Sequence, residues 1–460
     1  MKIFYIKPMS WICILLLSLS ACKNDFLDAK PNKALLVPTA LSDFDAILDN
    51  NGQMNKCPYL PAIGSDDLFV TDAGFQNVSN TIKNTYTWNE KVYEGELQGD
   101  WRIPYGQVFY ANIILDGLEK NEERENPLYQ TLKGEALFFR SLAFFQLVQN
   151  YSVAYQKTTA GQQMGIPLLL SSDVTQKYDR GNLKESYAQI IKDLITAIPL
   201  LPMHSKNIDR PSKAAGLALL ARVYLCTADF DLALEKATEC LNLSGNILDY
   251  NTLNLNIKTS TVPFPKIFPQ NLNPEVLFNT GMLSPSFVNS ATTMVNPDIV
   301  ASYADNDLRK PAFLYDRGGG FITFKGKYSS STVPFSGLTL DEVLLTRSEC
   351  YARLNKFTEA VNDLNSLLVK RYKTGTFMPY TADNTSNVLA LILAERRKEL
   401  ICRGTRWMDL KRLNLEPVHA ITLTRKVNGL TYTLLPNSNR YALPIPDEEI
   451  IISGLPQNIR

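Results

Sequence analysis

Residues 211–243 read PSKAAGLALLARVYLCTADFDLALEKATECLNL, and residues 340–371 read LDEVLLTRSECYARLNKFTEAVNDLNSLLVKR. Each stretch carries apolar residues at helical spacing on both sides of a short polar break. Tyr224, Phe230, Ala233 and Leu241 of the first recur as Tyr351, Phe357, Ala360 and Leu368 of the second, each 127 positions later. Small residues stand where two antiparallel helices must approach closely, and aromatics stand where the turn leaves a gap. The pattern predicts two helical hairpins, 211–226 with 231–243 and 340–354 with 357–371.

This spacing resembles the tetratricopeptide repeat. One hairpin cannot bury its apolar face alone, so scattered hairpins are expected to stack on one another. Helical periodicity also marks 103–120, 134–151, 184–200, 386–403 and 406–413, with stops at Pro202 and Gly404. The expected fold is mainly α: helical hairpins stacked into a right-handed superhelical frame, interrupted by long irregular insertions. The larger insertion, 245–337, holds eight prolines and Gly318-Gly319-Gly320. Its many aromatics, among them Phe287, Tyr303, Tyr315, Phe321, Phe324 and Tyr328, argue against simple disorder. A second irregular segment, 58–100, carries Asp66, Asp67, Phe69, Phe75, Tyr86, Trp88 and Tyr93.

The N-terminus reads as an export signal. Lys2 and Lys7 precede an apolar stretch, 11–19, too short to span a bilayer, which takes about 20 residues. Leu19-Ser20-Ala21-Cys22 looks like a bacterial lipobox, so residues 1–21 are expected to be removed and Cys22 lipidated. Asp25, soon after that cysteine, resembles a surface-export signal. Two regions, 22–205 and 206–460, are expected to form one compact unit. The 47 basic and 46 acidic side chains become 45 and 46 once the two leader lysines are gone. That balance gives no reason to expect a nucleic-acid partner. The five cysteines left after Cys22 are an odd number without a C-x-x-C pair, which argues against a disulfide framework and against zinc.

Several motifs now line up with one family. They are Trp101, Tyr105 and Asn112; Gly134-Glu135-Ala136 with Arg140; the run from Ile190 to Pro202; and Leu443-Pro444-Ile445-Pro446 with Gln457-Asn458. The most specific is Glu395-Arg396-Arg397-Lys398-Glu399-Leu400 followed by Gly404-Thr405-Arg406-Trp407-Met408-Asp409-Leu410-Lys411-Arg412. Along nearly its whole length the chain resembles the SusD/RagB family of Bacteroidetes outer-membrane lipoproteins, although it ends in Gln-Asn-Ile-Arg rather than the usual Gln-Asn-Pro-Gly-Tyr. The resemblance implies a lipid-anchored, non-enzymatic protein on the cell exterior. Such a protein binds oligosaccharides, or peptides, and passes them to a SusC-like TonB-dependent transporter. It implies no cofactor.

Sugar rings stack their C–H faces on aromatics while carboxylates and amides accept their hydroxyl protons. On that logic Trp88 and Tyr86, then Asp66 and Asp67, then Tyr303 and Tyr315 are the candidate ligand contacts. Trp101 and Trp407 stand in helical motifs and read as core. In the Glu395–Arg412 block, Arg396 shares a helical face with Leu389, Leu393 and Leu400, so it needs a buried carboxylate partner, Asp409 or Glu399. The block therefore reads as structural rather than catalytic.

Enzyme signatures are sparse. The only histidines are His204 and His419, and neither H-E-x-x-H nor G-x-S-x-G occurs. The glycine triplet lacks the Lys-Ser/Thr of a phosphate loop, and Asp305-Asn306-Asp307 starts like a calcium loop without its later Gly and Glu. The alternatives are a helical-repeat scaffold or a peptide-binding lipoprotein without a glycan ligand. Further behind stands a glycoside hydrolase, which needs two carboxylates at a separation that sequence spacing does not fix.

Overall fold

The computed structural model describes residues 38–460 apart from 97, 245 and 285. The leader and Cys22 lie outside the described residues. The chain is mainly helical. Its frame consists of α1 (Leu41–Leu48), α2 (Gly99–Lys120), α3 (Pro127–Tyr151), α4 (Leu183–Ala197), α5 (Lys213–Cys226), α6 (Phe230–Leu243), α7 (Leu340–Arg353), α8 (Phe357–Leu368), α9 (Val388–Glu399) and α10 (Arg406–Leu413). Successive helices pack as neighbours from α2 through α8, and α9 returns against α7.

Local signals set these boundaries. The Asn126 side chain accepts from Leu128 N and Pro127 opens α3, while Asn182 and Glu185 form a capping box on α4. Ser212 caps α5 and Asn387 caps α9. Pro104 sits in the second turn of α2, where it leaves the Asp100 carbonyl without its usual i+4 N–H donor.

Close crossings follow the small residues. Ala233 and Ala360 are fully buried. Ser348 Oγ donates to Ala360 O across the α7–α8 crossing at 2.7 Å, and Ser141 Oγ donates to Ile190 O between α3 and α4 at 2.6 Å. A Cβ at Gly134 would stand 2.8 Å from Leu200 Cβ, so glycine is what lets the end of α4 seat on α3.

The two irregular segments are joined to each other. Lys56–Cys57 pairs in parallel with Gly281–Met282, and Leu68–Val70 pairs antiparallel with Thr293–Val295. Most aromatics of the larger insertion point inward and join the core of the frame, while Phe268 and Phe321 stay exposed. Phe264 packs against Tyr328 at 4.9 Å and Phe313 at 5.8 Å between ring centroids, and Phe335 closes on Tyr328 at 5.6 Å. The hairpin Leu423–Val427/Leu430–Leu434 turns through Asn428 and Gly429, both at positive φ. Five cysteines are free and buried. No helix among the described residues is long and apolar enough to cross a membrane.

Candidate functional site

Five of the six sequence-chosen ligand contacts converge in space, but they face inward. Trp88 follows the short helix Asn80–Tyr86 at a positive φ of 54°, a turn that swings its ring under the segment. Trp88 and Tyr86 are each only 2 % exposed. Trp88 Nε1 donates to Gly64 O at 2.9 Å, and the Arg425 guanidinium stacks over Tyr86 at 3.7 Å and Trp88 at 4.6 Å. The Arg425 fork also donates to the carbonyls of Ile63, Ser65 and Tyr86. Tyr303 is buried, and its hydroxyl donates to Lys398 O at 2.8 Å. Asp67 is buried, accepting from Cys402 N at 3.1 Å. Burial, with Asp66 beside it, raises its carboxyl to about 6. Asp66 is bound by Arg397 at 2.8 Å and by Arg406 at 2.7 and 3.0 Å. Tyr315 stands apart, half-buried, with Arg317 over its ring at 4.8 Å.

The expectation that Trp88, Tyr86, Tyr303, Asp66 and Asp67 form a ligand platform is therefore corrected. Trp88, Tyr86, Tyr303 and Asp67 are sealed from solvent, and both Asp66 oxygens are taken by arginines. Together they lock the 58–95 segment onto α9 and α10.

A different set of aromatics lines a surface groove, with Trp101 buried beneath it and Tyr105 and Phe109 half-buried. Trp101, Tyr105 and Phe109 follow one another at i, i+4, i+8 on α2 and form the floor of a groove. One wall is the loop from Pro167 to Tyr178, and the other is the short helix Asp447–Ser453. The groove volume is about 700 Å³. Two other surface concavities are smaller: about 540 Å³ beside Phe230 and Phe357, and about 460 Å³ beside Phe268. Drug-sized ligands occupy sites of about 300–1,000 Å³.

Hydrogen bonds hold the floor in place. Trp101 Nε1 donates to Glu449 Oε2 at 3.2 Å, and Tyr105 OH donates to Pro167 O at 3.1 Å. The Trp101 ring leans on Tyr105 at 4.6 Å and on Tyr151 at 4.8 Å. Burial, with Glu449 nearby, holds the Tyr105 hydroxyl well above its ordinary value, so it stays a neutral donor. Glu448, Gln176 and Lys177 supply polar groups at the rim. Trp101, Tyr105 and Pro446 of this groove are singled out in the sequence, but as family motif residues and not as a site. The signal that finds the site is the aromatic stripe 101–105–109.

Comparison with known proteins places the chain. A family model described as starch-binding associating with outer membrane matches residues 25–225, and the SusD family model matches residues 325–458. The two together span more than two thirds of the sequence. The chain belongs to the SusD/RagB family. It is similar to SusD-like protein P2 of Formosa agariphila, with 23 % identity over 448 residues that cover 83 % of this chain and 84 % of that one. Its fold is similar to that of a SusD superfamily protein from Bacteroides thetaiotaomicron, at TM-score 0.74 and 22 % identity, covering 92 % of this chain and 100 % of the other. It is also similar to a SusD-like carbohydrate binding protein from Bacteroides vulgatus, at TM-score 0.64 and 18 % identity, covering 91 % and 97 %.

The block that carries the SusD/RagB resemblance is a buried charge network. Arg396 Nε donates to Asp409 Oδ2 at 2.9 Å, and Arg412 bridges Asp409 at 2.8 Å to Glu349 at 2.6 Å. Glu399 serves other partners, Arg371 at 2.7 Å and Arg309 at 3.3 Å. Trp407 is buried, and its Nε1 donates to Tyr441 O at 3.1 Å. Burial works against the Asp409 charge, yet Arg396 and Arg412 hold its carboxyl below the ordinary range. A carboxylate so engaged has no proton to exchange with a substrate near neutrality. No group of three or more His, Cys, Asp or Glu side chains among the described residues is arranged to hold a metal.

Proposed function

We propose that this SusD/RagB protein captures oligosaccharides on the outer face of the outer membrane, tethered through Cys22, and passes them to a SusC-like TonB-dependent transporter without chemical change. The observation that carries the reading is the groove. Half-buried Tyr105 and Phe109 offer apolar surface above the buried Trp101, and Glu448, Glu449 and Gln176 offer acceptors beside them. Glu448 and Glu449 are consecutive on one wall, whereas a glycosidase sets its two carboxyls across the scissile bond. The groove is thus a binding surface rather than a hydrolytic cleft. The family description and the carbohydrate-binding relative support a sugar as the ligand.

The test is a glycan array followed by calorimetry on protein lacking residues 1–22. Phe109→Ala and Tyr178→Ala should each weaken the best glycan about tenfold, which is about 1.4 kcal/mol, with little change in Tm. Wild-type affinity in both variants would remove the groove from the proposal. A peptide ligand, or turnover of the bound glycan, would move the protein to another class.

A further inference from the structure

Most buried cations of this protein face a carboxylate, but Arg180, Lys325, Lys411 and Arg425 are buried with carbonyl partners instead. Of these, Lys411 lines a cavity. Its Nζ donates to Gln149 O at 2.8 Å and Ser152 O at 2.7 Å, two carbonyls at the C-terminal end of α3. Burial lowers this amine to about 7, so it carries its full charge only below that pH; as an ammonium it has three donors, and one is left over. The cavity holds about 120 Å³, room for about four waters.

The lining explains what that room suits. Gln156, Thr159, Gln163, Asn437, Ser438 and Asn439 surround it with amides and hydroxyls, and Lys411 is the only charged residue of the lining. Gln156, Asn437 and Asn439 are exposed, so the cavity reaches the surface. The α3 carbonyls and the neutral Cys226 thiol on α5 are the other groups facing the amine; Asp409 is occupied by Arg396 and Arg412. The end of a helix dipole offsets only part of a full charge. A buried cation without a counter-ion, beside a polar space free of carboxylates, has the electrostatics of an anion site.

We propose that this cavity binds a small carboxylate against the Lys411 ammonium, either as a free anion or as the acid group of a sugar. The site is separate from the groove, so it stands or falls independently of glycan capture there.

The test is thermal unfolding at pH 6, where Lys411 is charged and the carboxylates are ionised, of protein lacking residues 1–22 as sodium acetate or sodium glucuronate is raised, with ionic strength held by a bulky sulfonate too large for the cavity. Wild type should show a saturable rise in Tm. Lys411→Met should show none. Asn439→Ala, at the mouth, should keep the anion-free Tm and weaken the apparent affinity at least threefold. A response to acetate alone supports a free-anion site, and a response to both supports access for acidic sugars. No carboxylate-specific rise in wild type, or the same rise in Lys411→Met and Asn439→Ala, overturns the proposal.

Discussion

Glu275→Gln should make the protein less sensitive to rising pH. Glu275 is fully buried; its Oε1 accepts from Arg371 Nη2 at 2.7 Å and from Leu248 N at 3.0 Å, and its Oε2 has no partner. Burial raises its carboxyl to about 8; Arg371 opposes the rise, and the nearby Asp341 and Glu399 add to it. In the unfolded chain the same group titrates near ~4.3. Between those values the unfolded chain has released a proton that the folded chain keeps. Stability therefore falls as pH rises through this window. From pH 5 to pH 8 the loss from this one group comes to about 3–4 kcal/mol. Glutamine retains an oxygen for Arg371 and Leu248 and is neutral throughout. At pH 5 the variant should be slightly less stable, by about 1 kcal/mol, because its amide N–H groups lack acceptors. By pH 8 it should be the more stable of the two. Urea unfolding of both proteins at pH 5, 6.5 and 8 measures the crossing. Parallel stability curves would refute the reasoning.

Three further outcomes are expected. Trp88→Ala should cost about 3–5 kcal/mol, since it empties a packed site and strands Gly64 O and the Arg425 face; a normal Tm with weakened glycan binding would return Trp88 to the ligand surface. Asp66→Asn should cost about 1–3 kcal/mol at neutral pH. Burial alone would raise the Asp66 carboxyl, but Arg406 and Arg397 hold it below the ordinary range, so its contribution fades as pH falls below about 4 and the gap to the variant should close there; acid titration of both by circular dichroism reads this, and a pH-independent gap contradicts it. Cys22→Ala should move the protein from the membrane fraction to the soluble fraction, as immunoblotting of fractionated cells would show.

The frame was legible in the sequence because a helix repeats its buried face every three or four residues. Eleven or more residues of α5, α6, α7 and α8 report that period together, and Ala233 and Ala360 mark the crossings. The insertions lacked such a signal. Strands of two or three residues, such as Lys56–Cys57 and Leu68–Val70, are too short to show alternation. Their partners lie more than 200 residues away. Aromatic content said that these segments are ordered, but not which way the rings point. The turn at Trp88 decides that, and its positive φ on a bulky residue has no sequence signature. The hairpin at 423–434 did carry one, Asn428-Gly429, which the helical reading passed over.

The groove escaped for the opposite reason. Trp101 and Tyr105 belong to a helical motif and do anchor the core through Tyr151 and Pro167. Tyr105 also presents an edge outward, and residue type alone does not reveal that double duty. The structure divides the two tasks among different side chains elsewhere. Arg396, Asp409, Arg412 and Glu349 are sealed within the frame, while Phe109 and Tyr178 sit on the groove and are only half-buried. Stability and capture should therefore come apart in a crossed experiment. Arg396→Met leaves Asp409 Oδ2 unpaired, with Arg412 still on Oδ1, and should cost about 1–3 kcal/mol. Where the variant still folds, its glycan affinity should match wild type. Phe109→Ala should do the reverse. If Arg396→Met lowers affinity at a temperature where it is fully folded, the network reaches the groove, and frame and site are one coupled unit.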